Sequence, residues 1–341
     1  MRGENVKRFL GLVLVLGCAG PVLGQAQTGW TVKPEWVQAH EEFLASDAMG
    51  GRGSASRFEE IAANYVASEL IGYGLQPAPG MTGYLQSVDV EVVTVNGRQR
   101  VRVAEKQGEP GARKTWNAIG WLPGSDPASG TILLTAHLDH LGTKDVPAGQ
   151  DGIYNGANDD AAGTTAVLEL AHALAAGPKL KRNVLFVCYG SEELGGVGST
   201  YFGAHPPVPL DSLVANLEFE MIGNQDPKMS KGVLLLTGWE RSNLGPTLKE
   251  HGALLGPDPY PEQHFFQRSD NYSLALKGVV AHTAAGWGTV PTYHQPNDDL
   301  AHLDLPFMTA AIQSLVEPMR WLASSDFKPK WNPGGRPKGR E

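Results

Sequence analysis

Two glutamates, Glu192 and Glu193, stand side by side where the apolar run VLFVCY, residues 184–189, gives way to GSEELGG. Successive residues of an extended segment point to opposite faces, so such a doublet can serve two separate tasks within a few ångströms. A pair of acids equally suits the positive end of a helix, so the doublet gains meaning only from partners elsewhere in the chain. Those partners lie at or near the ends of other apolar runs. TILLTA, residues 131–136, leads into His137-Leu138-Asp139-His140. His137 and Asp139 are two apart and share one side of an extended segment, which lets the carboxylate take the second imidazole N–H and fix the tautomer that a metal-bound histidine needs. Glu218 and Glu220 follow one another at the same spacing in NLEFEMIG, and His294 lies in TYHQPNDDL. Asp159, in NGANDDAAG, has glycines on both sides that let the backbone approach an ion, and a carboxylate fixed there can bridge two cations. Its neighbour Asp160 suits the N-cap of the helix that follows. Two imidazoles and at least three carboxylates without a thiolate fit zinc, or a similar first-row cation, better than calcium.

These positions need a scaffold that gathers strand ends. From Trp116 onward, WNAIGWL, TILLTAHL, NVLFVCY, LVANLEFEMI, GVLLLTG and GVVAHTA alternate with helical or loop segments. Continuous apolar runs of this length predict strands buried on both faces. AAGTTAVLELAHALAAG has apolar residues at helical spacing and stops at Gly177-Pro178. The expected fold is therefore α/β, a single domain over residues 30–326 with a mixed, mainly parallel central sheet and helices on both faces. In such a fold, chemistry gathers at the carboxyl ends of the strands. Upstream, RFEEIAANYVASELIGY predicts an amphipathic helix over 57–73, with Ser56 and Glu59 at capping-box spacing. VDVEVVTV and RQRVRVAE predict an edge hairpin turned at Asn96-Gly97.

The ends of the chain read differently. Lys7 and Arg8, the apolar FLGLVLVLG and the small residues after it have the order of an export signal, giving a leader over 1–24 and an exported product. The run is too short to span a bilayer, and a cut before Cys18, leaving it lipid-anchored, is the alternative to release in soluble form. Residues 327–341, rich in Pro, Gly and basic side chains, are expected to form a mobile tail. A formal charge of -8 argues against nucleic acid as a partner. With the leader removed, Cys188 is the only cysteine and no intrachain disulfide can form.

HLDHLG, GANDDAAG, GSEELGGVGS, FEMIG, RSDNYSLALKG and YHQPNDD occur in this order, after DAMGGRGS, and the set resembles the secreted co-catalytic dizinc aminopeptidases. Their superfamily also contains glutamate carboxypeptidases and glutaminyl cyclases. The resemblance covers about residues 45–325 and implies that His137 and Glu220 hold one zinc, that Glu193 and His294 hold the other, and that Asp159 bridges them. It further implies Glu192 as general base, Asp139 as partner of His137, and Asp270 as a substrate-orienting residue. Two departures stand out: Glu220 replaces the usual Asp, which makes Glu218 a rival ligand, and Asn271 replaces a His after Ser269-Asp270. Phe265, Phe266, Tyr272, Trp287 and Tyr293 cluster around the last motifs and are candidates for an apolar side-chain pocket. The implied activity is removal of N-terminal residues from peptides bearing a free α-amine. A cyclase-like aminoacyltransferase and a non-catalytic, metal-stabilised surface protein are the alternatives; for the cyclase, Tyr293 stands where that group has Trp. Arg268 is a candidate cation for the carboxylate that a carboxypeptidase would have to bind.

Overall fold

The computed structural model describes Met1 and residues 29–339; the expected leader beyond Met1, with Cys18, lies outside the described residues. Helix α1 (Pro34–Leu44) is followed by a short 3-10 segment, Asp47–Arg52, and by α2 (Arg57–Gly72), whose N-terminus is capped by Ser56 Oγ accepting from the Phe58 and Glu59 amides. Strands β1 (Leu85–Val95) and β2 (Arg98–Val103) form the edge hairpin. Their register pairs Val95 with Arg98, which leaves Asn96 and Gly97 as a two-residue turn with φ of 52° and 76°. Positive φ at both positions is what a tight hairpin turn matching the strand twist requires.

Next come β3 (Arg113–Leu122), β4 (Thr131–His137), a small ribbon of β5 (Gly142–Thr143) and β6 (Ile153–Tyr154), and helix α3 (Ala162–Ala176). They are followed by β7 (Asn183–Tyr189), α4 (Val197–Ala204), β8 (Leu213–Glu220), β9 (Leu234–Leu236) and α5 (Leu244–Glu250). The last elements are β10 (Leu255–Pro257), α6 (Asn271–Leu276), β11 (Ala281–Ala285) and α7 (Leu305–Ser324).

Nine strands form one sheet in the order β10-β9-β11-β8-β4-β7-β3-β1-β2. The four central strands, β11, β8, β4 and β7, run parallel, and the sheet reverses direction at β9 on one flank and β3 on the other. It is thus a mixed sheet with a parallel centre. Every residue of β4 and β7 is buried, as expected of strands covered on both faces. Their side chains alternate between two cores: Ile132, Leu134, Ala136, Val184, Phe186 and Cys188 pack with α1, α2, α3 and α7, while Leu133, Leu185, Val187 and Tyr189 pack with α4 and α6. This arrangement points the carboxyl ends of four neighbouring strands the same way. No helix of the described residues is long and apolar enough to cross a membrane.

The segment expected as a tail makes defined contacts with the body over 327–339. Trp331 forms an isolated bridge with Ser242, its indole Nε1 donates to Gly278 O at 3.1 Å, and its ring packs edge-on against Phe266. The Lys330 amide donates to Asn243 Oδ1 at 2.7 Å and the Asn332 amide to Arg241 O at 2.8 Å. The composition suggested solvation, but one indole inserted beside Phe266 and a few backbone bonds are enough to dock an otherwise polar segment.

A buried acid on the helical side gives the fold a pH dependence of its own. Glu41 of α1 is fully buried; Thr165 Oγ1 donates to one of its oxygens at 2.8 Å, and the other has no hydrogen-bond partner among the described residues. Burial, opposed by the Thr165 bond and the Arg52 charge, pushes its carboxyl up to about 8. The folded state therefore holds a proton that an unfolded chain releases near pH ~4.3. This contribution to stability is complete below that value and is lost as the pH rises towards 8. Urea unfolding at several pH values is expected to give Glu41→Gln a smaller loss of stability between about pH 5 and 8 than the parent protein. Identical slopes for the two proteins would remove Glu41 as a source.

Candidate active site

The parallel centre of the sheet brings the sequence-predicted residues to one end. His137 closes β4, Glu220 closes β8, and Glu192 and Glu193 follow β7 after the turn at Gly190-Ser191. Asp159 lies in an irregular turn, Ala157–Ala161, that leads into α3, and His294 lies in the loop after β11. Ser191, Met221 and His294 have φ of 52°, 53° and 56°. Each turns the chain sharply beside a site residue, and left-handed backbone at non-glycine positions tends to be retained where function demands it.

Asp159 is the hub. Its Oδ1 is 3.2 Å from His137 Nε2, and its Oδ2 is 3.2 Å from His294 Nε2 and 3.8 Å from His140 Nδ1. Glu193 approaches from the other side, with Oε2 3.1 Å from His294 Nε2 and Oε1 2.8 Å from His140 Nδ1. Two groups of potential ligand atoms result, His137 with Asp159 and Glu220, and His140 with Asp159 and Glu193; within each, the atoms lie within 4.8 Å of one another. His140 was not singled out from the sequence as a site residue.

Several expected contacts take a different form. Asp139 does not hold His137 through its carboxylate, which is 3.7 Å from Nδ1; its main-chain carbonyl accepts there, at 3.1 Å. The carboxylate instead accepts from the Glu192 amide at 2.9 Å, the Glu193 amide at 3.4 Å and the Ser54 hydroxyl. Asp139 thus fixes both the tautomer of His137 and the backbone of the glutamate doublet. Glu218, the rival of Glu220, accepts from Ser269 Oγ, the Asn271 amide and Thr283 Oγ1, so its oxygens are committed to α6 and β11. Asp160 caps α3 through the Gly163 amide at 3.0 Å, but it also accepts from the Met221 amide at 2.9 Å and the His137 amide at 3.2 Å, joining two strand ends to the start of α3.

Three further supports come from residues that the sequence did not single out in these roles. Asp298 accepts the Asn158 and Asp159 amides, both at 3.0 Å, and so fixes the hub. Arg52, fully buried, donates to the carbonyls of Leu44, Leu138, Asn155 and Gly156 and ties the HLDH loop to the Asp159 turn. Glu59 does not complete its capping box; it accepts from Thr115 Oγ1 at 2.6 Å, the Ala55 amide at 2.7 Å and Ser191 Oγ at 3.0 Å, bracing the turn under the doublet. No local spacing rule signals such long-range bonds.

The electrostatics call for a cation. Burial lowers the His294 imidazole, but Asp159 and Glu193 outweigh it and hold it at about 10. His137 follows the same pattern, with Asp139 and Asp159 raising it against burial. Burial pushes the Glu192 carboxyl well above the usual range, with His137 opposing, and it pushes Asp270 to about 7 against a hydrogen bond from Ser199. Asp159 Oδ2, Glu193 Oε1, His294 Nε2 and both His140 nitrogens are buried without a hydrogen-bond partner among the described residues. Convergent, unpaired oxygen and nitrogen donors with no thiolate fit zinc or a related divalent ion.

Beside Glu220 opens a cavity lined by Met221, Leu235, Phe265, Ala285 and Tyr293 with Thr237 and Thr283 among them. Of the five aromatic candidates, Phe265 and Tyr293 face this cavity, while Phe266 and Tyr272 pack into the core behind it. Tyr293 stacks on His294, ring centres 3.8 Å apart. Arg268 also lines the cavity, its guanidinium over the ring of Phe265. Asp270 is buried next to Ser199 and presents one unpaired oxygen.

Known proteins share both the sequence pattern and the frame. Leupeptin-inactivating enzyme 1 of Streptomyces exfoliatus is 31% identical over 225 residues, 65% of this chain and 47% of that protein. The chain spans less than half the length of the curated relatives it matches. The structure of BSAP, a zinc aminopeptidase from Bacillus subtilis, superposes with a TM-score of 0.63 at 16% identity, over 86% of this chain and 96% of that one. Glutaminyl cyclase from Bacteroides thetaiotaomicron superposes with a TM-score of 0.61 at 16% identity, over 86% and 99% of the two chains, so the fold is common to both activities. The model of peptidase family M28 matches residues 117–317, which run from β3 into α7 and contain every residue of the two ligand groups; the chain belongs to peptidase family M28.

Proposed function

We propose that the protein is a two-metal aminopeptidase, exported by its leader, that hydrolyses the N-terminal residue from peptides with a free α-amine. The observation that carries this reading is the sharing of Asp159 between two ligand groups. His137, Asp159 and Glu220 would hold one zinc, and Asp159, Glu193 and His294 the other. When bound, the metal pair lowers the pKa of a water from about 15.7 towards 7 and polarises the scissile carbonyl. Glu192, whose carboxylate makes no hydrogen bond or ion pair among the described residues, takes the proton of the attacking water and passes it to the leaving amine. Asp139 positions it by holding its amide.

Substrate choice follows from the same surroundings. Carboxylates beyond those needed for metal, Asp270 among them, favour a cationic α-amine. The cavity beside Glu220 is suited to one apolar side chain. Profiling on a peptide library, with chelated and N-acetylated controls, tests the reading. Sequential loss from free N-termini that chelation abolishes is the expected result. Trimming from the carboxyl end, or cyclisation of N-terminal glutamine without release of an amino acid, would replace it.

A further inference from the structure

We infer that His140 is a direct ligand of the second metal, so that this ion is held by two imidazoles, His140 and His294, together with Asp159 and Glu193. The inference rests on the two-metal reading above and adds a residue that the sequence pattern did not assign.

Three observations support it. His140 is fully buried, yet neither ring nitrogen has a hydrogen-bond partner among the described residues. Its Nδ1 stands 2.8 Å from Glu193 Oε1, which is also unpaired, so the two atoms are close without being aligned as donor and acceptor. Atoms that ligate one zinc at about 2.0–2.2 Å sit roughly 3 Å from each other and aim at a common point rather than at one another, which matches this pairing. The ring is also held in place. Its backbone amide donates to Arg52 O at 3.1 Å, and Gly156, at φ 61°, lies against its face so closely that a Cβ there would meet Cγ at 2.5 Å. His294 crosses it edge-on at 5.6 Å. Only glycine leaves room for the imidazole in this orientation.

The consequence is an asymmetric centre. One group has a single imidazole, His137, while the other has two, and neutral nitrogen donors favour zinc over harder ions. The two-imidazole position should fill first. The test uses the full chain, stripped of metal and reloaded with zinc. X-ray absorption at one zinc per chain is expected to count two imidazoles around the ion. Competition with a chromophoric chelator is expected to show a tight and a weaker class of sites, with His140→Phe weakening the tight class by more than about 100-fold. A residue that only orients a ligand costs about 10- to 100-fold. A single imidazole in the parent protein, or an undisturbed tight class in the variant, would overturn the inference while leaving two bound metals in place. Failure to bind a second zinc at all would instead overturn the two-metal reading on which it rests. The imidazole count is made on the parent protein, so it does not depend on the variant's folding.

Discussion

Glu192→Gln is expected to retain its full metal content and lose about 10²–10⁴ in kcat, the range that a positioned general base contributes. The substitution preserves volume and leaves the amide bond to Asp139 intact, so the turn at Ser191 should persist. What disappears is the basic oxygen. Because Glu192 has no other polar partner among the described residues, nothing else should be set free by its neutralisation. The variant is therefore expected to unfold at the parent's temperature, with little change in KM. Metal analysis, melting curves and steady-state kinetics on one preparation check the three parts together. Wild-type turnover would remove Glu192 from the mechanism, and loss of metal would make it a ligand instead.

Asp159→Asn is expected to have the opposite signature, with zinc content falling from about two per chain to below one and turnover becoming undetectable. The hub carboxylate faces His137 through one oxygen and His294 through the other, and an amide offers one weaker acceptor where two anionic ones are needed. The scaffold around the hub should survive, since Asp298 holds the Asn158 and Asp159 amides rather than the side chain. Thermal stability reports the loss separately from activity. Ligand at 1,000 times its dissociation constant stabilises a protein by about 4.1 kcal/mol, so added zinc should raise the melting temperature of the parent protein but not of the variant. Retention of two zinc ions by the variant would remove Asp159 from the bridging role.

The fold was legible because the strands are buried on both faces: WNAIGWL, TILLTAHL and NVLFVCY are nearly continuous apolar runs, and they became β3, β4 and β7. The candidate site was legible for the same reason, since each parallel strand delivers its next residues to one end. What stayed hidden depends on the path of the chain after the strand. Alternation placed the Asp139 carboxylate on the same side as His137, but the chain leaves extended geometry there, so the side chain swings under Glu192 and the main-chain carbonyl replaces it. His140 was passed over because its role depends on Gly156 and Glu193, which only the fold brings near. Glu218 and Glu220 share a strand face and spacing; only the Asn271 amide and its neighbours separate their tasks. In the terminal segment, composition reports average solvation and does not signal the bond from the Trp331 indole to Gly278 O.

Zinc titration of the metal-free protein, followed by release of the N-terminal residue from an unblocked peptide and its N-acetylated twin, tests the central proposal most directly. The expected result is release from the free-amine peptide alone, rising with bound zinc and saturating near two ions per chain. Undiminished cleavage by the metal-free protein, or equal cleavage of the acetylated peptide, would contradict it.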